Sequence, residues 1–263
     1  MNNYNANEII KKSKDSIEIK ELLQQVELTL RTWQPSWSPF LSEGNLEKAI
    51  EIMKLLNDIK WEVNGGYPGA ERGRIYCLPS RNTNHLNSEE PPMNGIRIEG
   101  NFLFDKPKPR DFRDAFQNLA IPSNQIGDIW ICNDRGAEGI CTLEASKDLH
   151  GRCGLLREVS FKCEVVKIYD LRLPSPRIPK RFTSVEASKR VDAITSAGFG
   201  ISRSKTVKAI QSGLLRLNWE IVTQASKEIK EGDKIQLENK GTVEILSFTM
   251  TKKERWRVEL LRK

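Results

Sequence analysis

Arg203, Ser204, Lys205 and Lys208 fall within six residues of one another, directly behind Ser202, a residue type that opens helices. Cations set beside the free backbone N–H groups of a helix start make a seat for phosphate. Arg190 precedes this cluster. Arg216, Asn218 and Trp219 follow it, and Lys240, Lys252 and Lys253 come later in the same segment. Residues 183–263 hold 16 Lys/Arg against 10 Asp/Glu, a net of +6 out of the whole chain's +7, whereas the other 182 residues are nearly neutral at 26 against 25. Concentrating the basic excess in one segment is what a phosphate-binding surface requires, because each neutralised phosphate releases counterions and the field speeds encounter.

Other chemistries are poorly supplied. The five cysteines, at 77, 132, 141, 153 and 163, never stand two to four residues apart, and the histidines are His85 and His150 alone. No closed zinc site can be assembled from that set, and no metal or cofactor is called for. An odd number of scattered thiols suits a reducing compartment. No GxxxxGK run offers a nucleotide cradle. The longest apolar runs fall far short of the roughly 18 residues that cross a bilayer. The start, MNNYNANEIIKKSKDSIEIK, has no apolar signal core, lacks Arg and contains Glu8, Asp15 and Glu18. A cytoplasmic protein without membrane insertion is the expectation.

The elements that must position the basic cluster can be read from periodicity. Ile19, Leu22, Leu23, Val26 and Leu30 recur at helical steps, and Leu46, Ala49, Ile50, Met53, Leu56 and Ile59 repeat the rhythm in a second helix to about Lys60. GGYPGAERGR at 65–74 breaks the pattern with four glycines and a proline and must encode a turn or a close backbone approach. RIYCLP at 74–79 reads as a strand and the polar stretch 80–94 as a loop. Strands near 96–104, 126–132, 137–143 and 157–168 alternate with helices near 109–119 and 144–152, which predicts a four-stranded ferredoxin-like (RRM-like) sheet with two helices on one face. LPSPRIP at 173–179 is a stiff linker. The fold class is α+β, divided into an N-terminal helical or mixed domain (1–90), a ferredoxin-like middle domain (91–172), a proline-rich linker (173–182) and a C-terminal domain (183–263).

In that last domain Ala187, Val191 and Ile194 mark a helix ended near Gly198. Ser202 caps a second helix with Val207 and Ile210 inside and Gly213 at its end, and strands follow near 214–222, 234–238, 242–248 and 256–261. The succession RVDAI at 190–194, SRSK at 202–205, SGLLRLNW at 212–219 and EGDKI at 231–235 resembles the S-four domain, an RNA-binding module named after the fourth protein of the small ribosomal subunit. The resemblance covers about 184–250. It implies two helices on a small sheet and assigns Arg190, Arg203, Ser204, Lys205, Lys208, Arg216 and Asn218 to RNA contact, with Trp219 either stacking on a base or packing in the core. Lys240, Lys252, Lys253 and Arg255 would extend the footprint.

With GGYPGAER at 65–72 and QIGDI at 125–129 added, the chain looks like the YlmH-like ribosome-associated proteins over about 60–250. TSVEASKRVDAI at 183–194 with SAGF at 196–199 looks closer to the photosystem II S-four domain proteins of cyanobacteria and plastids. The resemblance implies a protein that binds structured ribosomal RNA, or transfer RNA held at the ribosome, in ribosome function or rescue of stalled translation. Glu71, Arg72 and Arg74 form a possible secondary surface, and Arg110 and Arg113 are the candidates should the middle domain touch RNA. That domain lacks a basic pair before IGD and the aromatic signature of base-stacking sheets.

Two other readings compete. RNA-modifying enzymes such as pseudouridine synthases and some methyltransferases carry S-four domains, but usually ahead of a catalytic domain. The Arg190–Asp192 pair lies inside the module's own first helix, and no glycine-rich cofactor loop follows an early strand. A photosynthetic assembly factor would need a surface for its partner, and no amphipathic lipid-binding stripe supplies one.

Overall fold

The computed structural model describes residues 16–80, 90–238 and 240–263, so Glu8 and Asp15 of the chain start, part of the 80–94 loop and Asn239 lie outside the described residues. The chain divides into two compact units, 1–176 and 177–263.

The first unit begins with helix α1 (Ile17–Thr32), capped by Ser16, whose side chain accepts from the Ile19 amide, and closed by Trp33 at φ 60°. Strand β1 (Ser36–Trp37) and helix α2 (Glu43–Met53) follow, then β2 (Ile59–Asn64) and β3 (Arg74–Pro79), which form an antiparallel sheet in the order β1-β3-β2. Ile19, Leu22, Val26, Ala49, Met53 and Ile75 pack between helices and sheet. The second helix therefore stops six residues before Ile59. From Ile59 the chain pairs residue for residue with β3, Ile59 opposite Pro79 and Asn64 opposite Arg74. Leu56 and Ile59 do continue a helical spacing, but cross-strand pairing with an already buried strand outweighs it.

Next come β4 (Met93–Gly100), α3 (Pro109–Asn118), β5 (Ile126–Ile131), β6 (Gly136–Thr142), α4 (Leu143–Leu149), β7 (Cys153–Leu156) and β8 (Val159–Val166). The antiparallel sheet runs β5-β6-β4-β8-β7. Without β7 this is the ferredoxin-like order; β7 adds a hairpin strand at one edge. Phe112, Ala115 and Phe116 of α3 and Ala145 and Leu149 of α4 close the core over Ile96, Ile98, Phe161 and Cys163.

In the second unit β9 (Lys180–Glu186), α5 (Val191–Phe199), α6 (Arg203–Gln211), β10 (Leu215–Leu217), β11 (Glu220–Ile221), β12 (Lys234–Leu237), β13 (Gly241–Met250) and β14 (Trp256–Arg262) form two helices on a six-stranded antiparallel sheet, ordered β11-β10-β12-β13-β14-β9. Val191, Ile194, Phe199 and Ile210 face Leu215, Ile235, Val243, Ile245 and Leu260. Strand β9 begins inside the stretch read as linker, because Lys180–Glu186 pairs along the whole of β14. Helix α5 starts later than Ala187 and runs past Gly198. Gly198 is buried against Val243, and Gly200 at φ 62° caps the helix, a conformation that costs other residues about 1 kcal/mol.

Candidate nucleic-acid interface

Helix α6 is where the sequence-predicted cations come together. Its first turn is set by Ser202, whose hydroxyl accepts from the Lys205 amide at 3.3 Å and lies 3.0 Å from the Ser204 hydroxyl. Thr206 and Ile210 are buried, which fixes the helix's inner face and leaves Arg203, Ser204, Lys205 and Lys208 exposed on the outer one. Arg203 lies 3.6 Å from Glu186, an exposed guanidinium against a mostly covered carboxylate. Pairs of this kind contribute little and exchange readily for a phosphate. No acidic residue sits in the helix's first turn, so its partial positive charge adds to that of Arg203 and Lys205, and Lys208 stands exposed in the last turn.

The remaining predicted residues divide by what already holds them. Arg190 donates from Nε and Nη2 to the two oxygens of Asp192, both at 3.1 Å, so its outward charge is partly spent. Arg216 lies on β10 between buried Leu215 and Leu217 and points to the opposite side of the strand, half-exposed. Asn218 and Trp219 are the two central residues of the β10–β11 hairpin, with φ 49° and 72°. The Asn218 amide is committed internally: Nδ2 donates to Asp233 at 2.8 Å, and Oδ1 accepts from the Lys234 amide at 2.9 Å. Asn218 therefore fixes the hairpin to the 231–235 turn, which explains why LNW and EGDKI belong together. Trp219 is half-buried beside it. Lys240 is exposed, and Lys252, Lys253 and Arg255 are exposed at the turn joining β13 and β14. Lys189, which the sequence did not single out, sits 3.8 Å from the Trp256 ring centre and 4.8 Å from that of Phe248, tying the approach to α5 to the far hairpin.

The residues proposed as a secondary surface in the first unit are placed differently. Asp128, on β5, is buried and accepts from the Tyr67 hydroxyl (2.8 Å), the Glu71 amide (2.7 Å) and the Arg72 amide (3.0 Å). Arg72 turns inward, donating Nε to the Ile126 carbonyl (3.0 Å) and Nη2 to that of Ser123 (3.1 Å). Arg74 is buried, donates to the Ser38 and Pro92 carbonyls and lies over the Trp37 and Phe40 rings. Arg113 reaches the Ile126 carbonyl as well, at 3.4 Å. Burial pushes the Arg74 and Arg113 guanidinium groups down to about 10, with Arg72 nearby adding to the effect on Arg113. GGYPGAER and IGD are thus two halves of one internal clamp. Gly66 turns at φ 93° against Ile140, and a Cβ at Gly65 would lie 2.4 Å from that of Ala70, so the loop closes only with glycine there. Of this group only Glu71 is exposed; Arg110, on α3, is exposed too.

The face of β5-β6-β4-β8 opposite the helices is covered too: Phe40, Tyr67 of the clamp, Ile168 and Leu171 pack against Trp130, Ile140 and Val166 of the strands. RNA-recognition domains stack bases on that face. Here it is occupied by the chain itself.

The second unit defines the class: residues 189–235 match the S4 domain, an RNA-binding module. Residues 14–80 match the YlmH N-terminal domain, so the chain carries a YlmH N-terminal domain ahead of an S4 domain. It is similar to the ribosome-associated protein quality control protein P2 of Bacillus subtilis (strain 168), at 24% identity over 202 residues, covering 76% of this chain and 77% of that protein. Among solved structures it is similar to the cell division protein ylmH from Streptococcus pneumoniae, at 13% identity and a TM-score of 0.42, over 60% of this chain and 96% of that one.

Proposed function

We propose that the protein is a non-enzymatic RNA-binding factor that docks on structured ribosomal RNA, or on transfer RNA held at the ribosome, through the outer face of α6. The observation that carries this reading is the outer face of α6, where Arg203 and Lys205 stand exposed in a first turn that holds no acidic residue and Lys208 stands exposed in the last turn. Such a convex cationic face tracks the phosphates and 2′-hydroxyls of folded RNA without reading a long sequence. The similarity to a protein named for ribosome-associated quality control supports the ribosome as the partner and rescue of stalled translation as the setting. That setting is cytoplasmic, and no helix among the described residues is long and apolar enough to cross a membrane. Arg190, Ser204 and Arg216 flank the face. Lys240, Lys252 and Lys253 widen it.

Replacing Arg203, Lys205 and Lys208 together with Glu tests the reading by sedimentation with ribosomal subunits at moderate salt. The triple variant is expected to stay in the supernatant. Pelleting at the wild-type level would remove α6 as the contact face. Mapping modified nucleotides after incubation with ribosomal RNA separates this reading from an enzymatic one, since a product requires catalysis.

A further inference from the structure

A second basic and aromatic element lies in the first unit, between β4 and α3. Phe104 is 96% exposed and Leu103 53%, an unusual outlay of apolar surface for a segment held at both ends. Phe102 is buried edge-on against Phe112, with ring centres 5.4 Å apart, and its amide donates to the Asp134 carbonyl at 2.8 Å. Pro107 is buried beyond it, and the Lys108 amide donates to Asp111 at 2.8 Å. Arg157, from the β7–β8 turn, bridges Asp105 and Asp111. Phe104 is therefore not a slack tip but a ring displayed from an anchored loop.

The same ion pairs decide the charge around it. Arg157 takes up both carboxylates of the loop and helix start, leaving Lys106, Lys108 and Arg110 exposed on the outside, where the ion pair they make among the described residues is the solvent-exposed 3.8 Å contact from Arg110 to Asp114. A protein partner would need an acidic or apolar counterpart. An unpaired nucleotide supplies both things this loop offers to bind, a flat π-face for the ring and phosphates for the cations. We propose that Phe104, Lys106, Lys108 and Arg110 form a second RNA contact, which stacks one unpaired base and grips its flanking phosphates. This contact rests on the reading of the protein as an RNA binder and adds to the S4 domain a second point of attachment on the other unit. Two linked contacts raise overall affinity without either becoming tight.

Binding of the full chain to purified large-subunit ribosomal RNA is measured over a salt series, with Phe104→Ala, Phe104→Leu, Phe104→Tyr, the pair Lys106→Glu/Lys108→Glu, and the α6 triple variant. Phe104→Ala is expected to weaken binding about tenfold, with its melting temperature and salt slope unchanged. Phe104→Tyr restores affinity and Phe104→Leu does not, while the lysine pair flattens the salt slope by about two. Wild-type affinity in Phe104→Ala, alongside a loss in the α6 variant, overturns the second contact and leaves the S4 reading standing. Full binding by Phe104→Leu also overturns it, because an apolar protein contact tolerates Leu and base stacking does not. No loss in either the Phe104→Ala or the α6 variant overturns both readings.

Discussion

Arg72, Arg74 and Arg113 are folded into the first unit, whereas Arg203, Lys205 and Lys208 stand in solvent on the second. Both sets come from motifs that the sequence marks as basic. The difference lies in what surrounds each charge. In the first unit, carbonyls of Ser38, Pro92, Ser123 and Ile126 arrive from three segments of chain, and the guanidinium groups satisfy acceptors that would otherwise be buried without a donor, while the Asp128 carboxylate accepts from the Arg72 backbone amide. On α6 the inner positions belong to Thr206 and Ile210, and the ion pair made by these cations among the described residues is that of Arg203 with Glu186. An arginine in a glycine-rich motif here joins backbone to backbone; the arginine at the start of α6 faces outward into solvent.

The contrast would break first at α6. Arg203→Glu/Lys205→Glu/Lys208→Glu is expected to lower affinity for folded ribosomal RNA at least about a hundredfold at physiological salt, with the second unit's unfolding transition in place. Filter binding and a urea melt on the same preparation check both halves. Asp128→Ala tests the other side: it removes the acceptor of three donors, the Tyr67 hydroxyl and the Glu71 and Arg72 amides, and should cost the first unit about 3 kcal/mol in urea unfolding while RNA affinity of the folded protein holds.

Alkaline pH sharpens the contrast, because all five cysteines lie in the first unit. Burial pushes the Cys77 and Cys163 thiols up to about 12 and raises that of Cys141 as well. The unfolded chain loses these protons near 8.5, so above that pH it binds fewer protons than the folded state, and stability falls as pH rises towards 12. Below about pH 7 the three thiols contribute almost no slope. Between pH 7.5 and 9 they should together remove about 2 kcal/mol from the first unit, before the relief of charged Arg74 and Arg113 begins near 10. The second unit's transition should show no such thiol-driven loss. The smallest effect is expected at Asn218→Ala, about 1 kcal/mol from the second unit's stability and less than about a fivefold change in RNA affinity, since its amide is engaged with Asp233 and Lys234.

What the sequence revealed follows the range of the interactions. Helix α6, its Ser202 cap and its outward cations are local, and so is the alternation that orders the middle sheet as β5-β6-β4-β8. The helical step of Leu56 and Ile59 carries the second helix to about Lys60 in the sequence, over the first two residues of β2, whereas pairing with β3 is decided by partners ten to twenty positions away. The inward turn of Arg72 and Arg74 depends on acceptors at Ser38, Pro92 and Ile126, which no local pattern announces. The motif marks out Asn218 without showing that its amide holds Asp233 and Lys234, since the proximity of 218 to 233 appears only once β10 and β12 are paired. Phe104 carried a weak signal in FDKPKPR, an aromatic among lysines and prolines, whose meaning needed Arg157 to be seen bridging Asp105 and Asp111.

The most direct test of an outward-facing α6 is the slope of log affinity against log salt for folded ribosomal RNA, compared between wild type and Arg203→Gln/Lys205→Gln/Lys208→Gln. If the three cations meet phosphates, the neutralised variant binds with a slope smaller by about three. An unchanged slope would mean that they meet solvent only, and the contact face would lie elsewhere on the molecule.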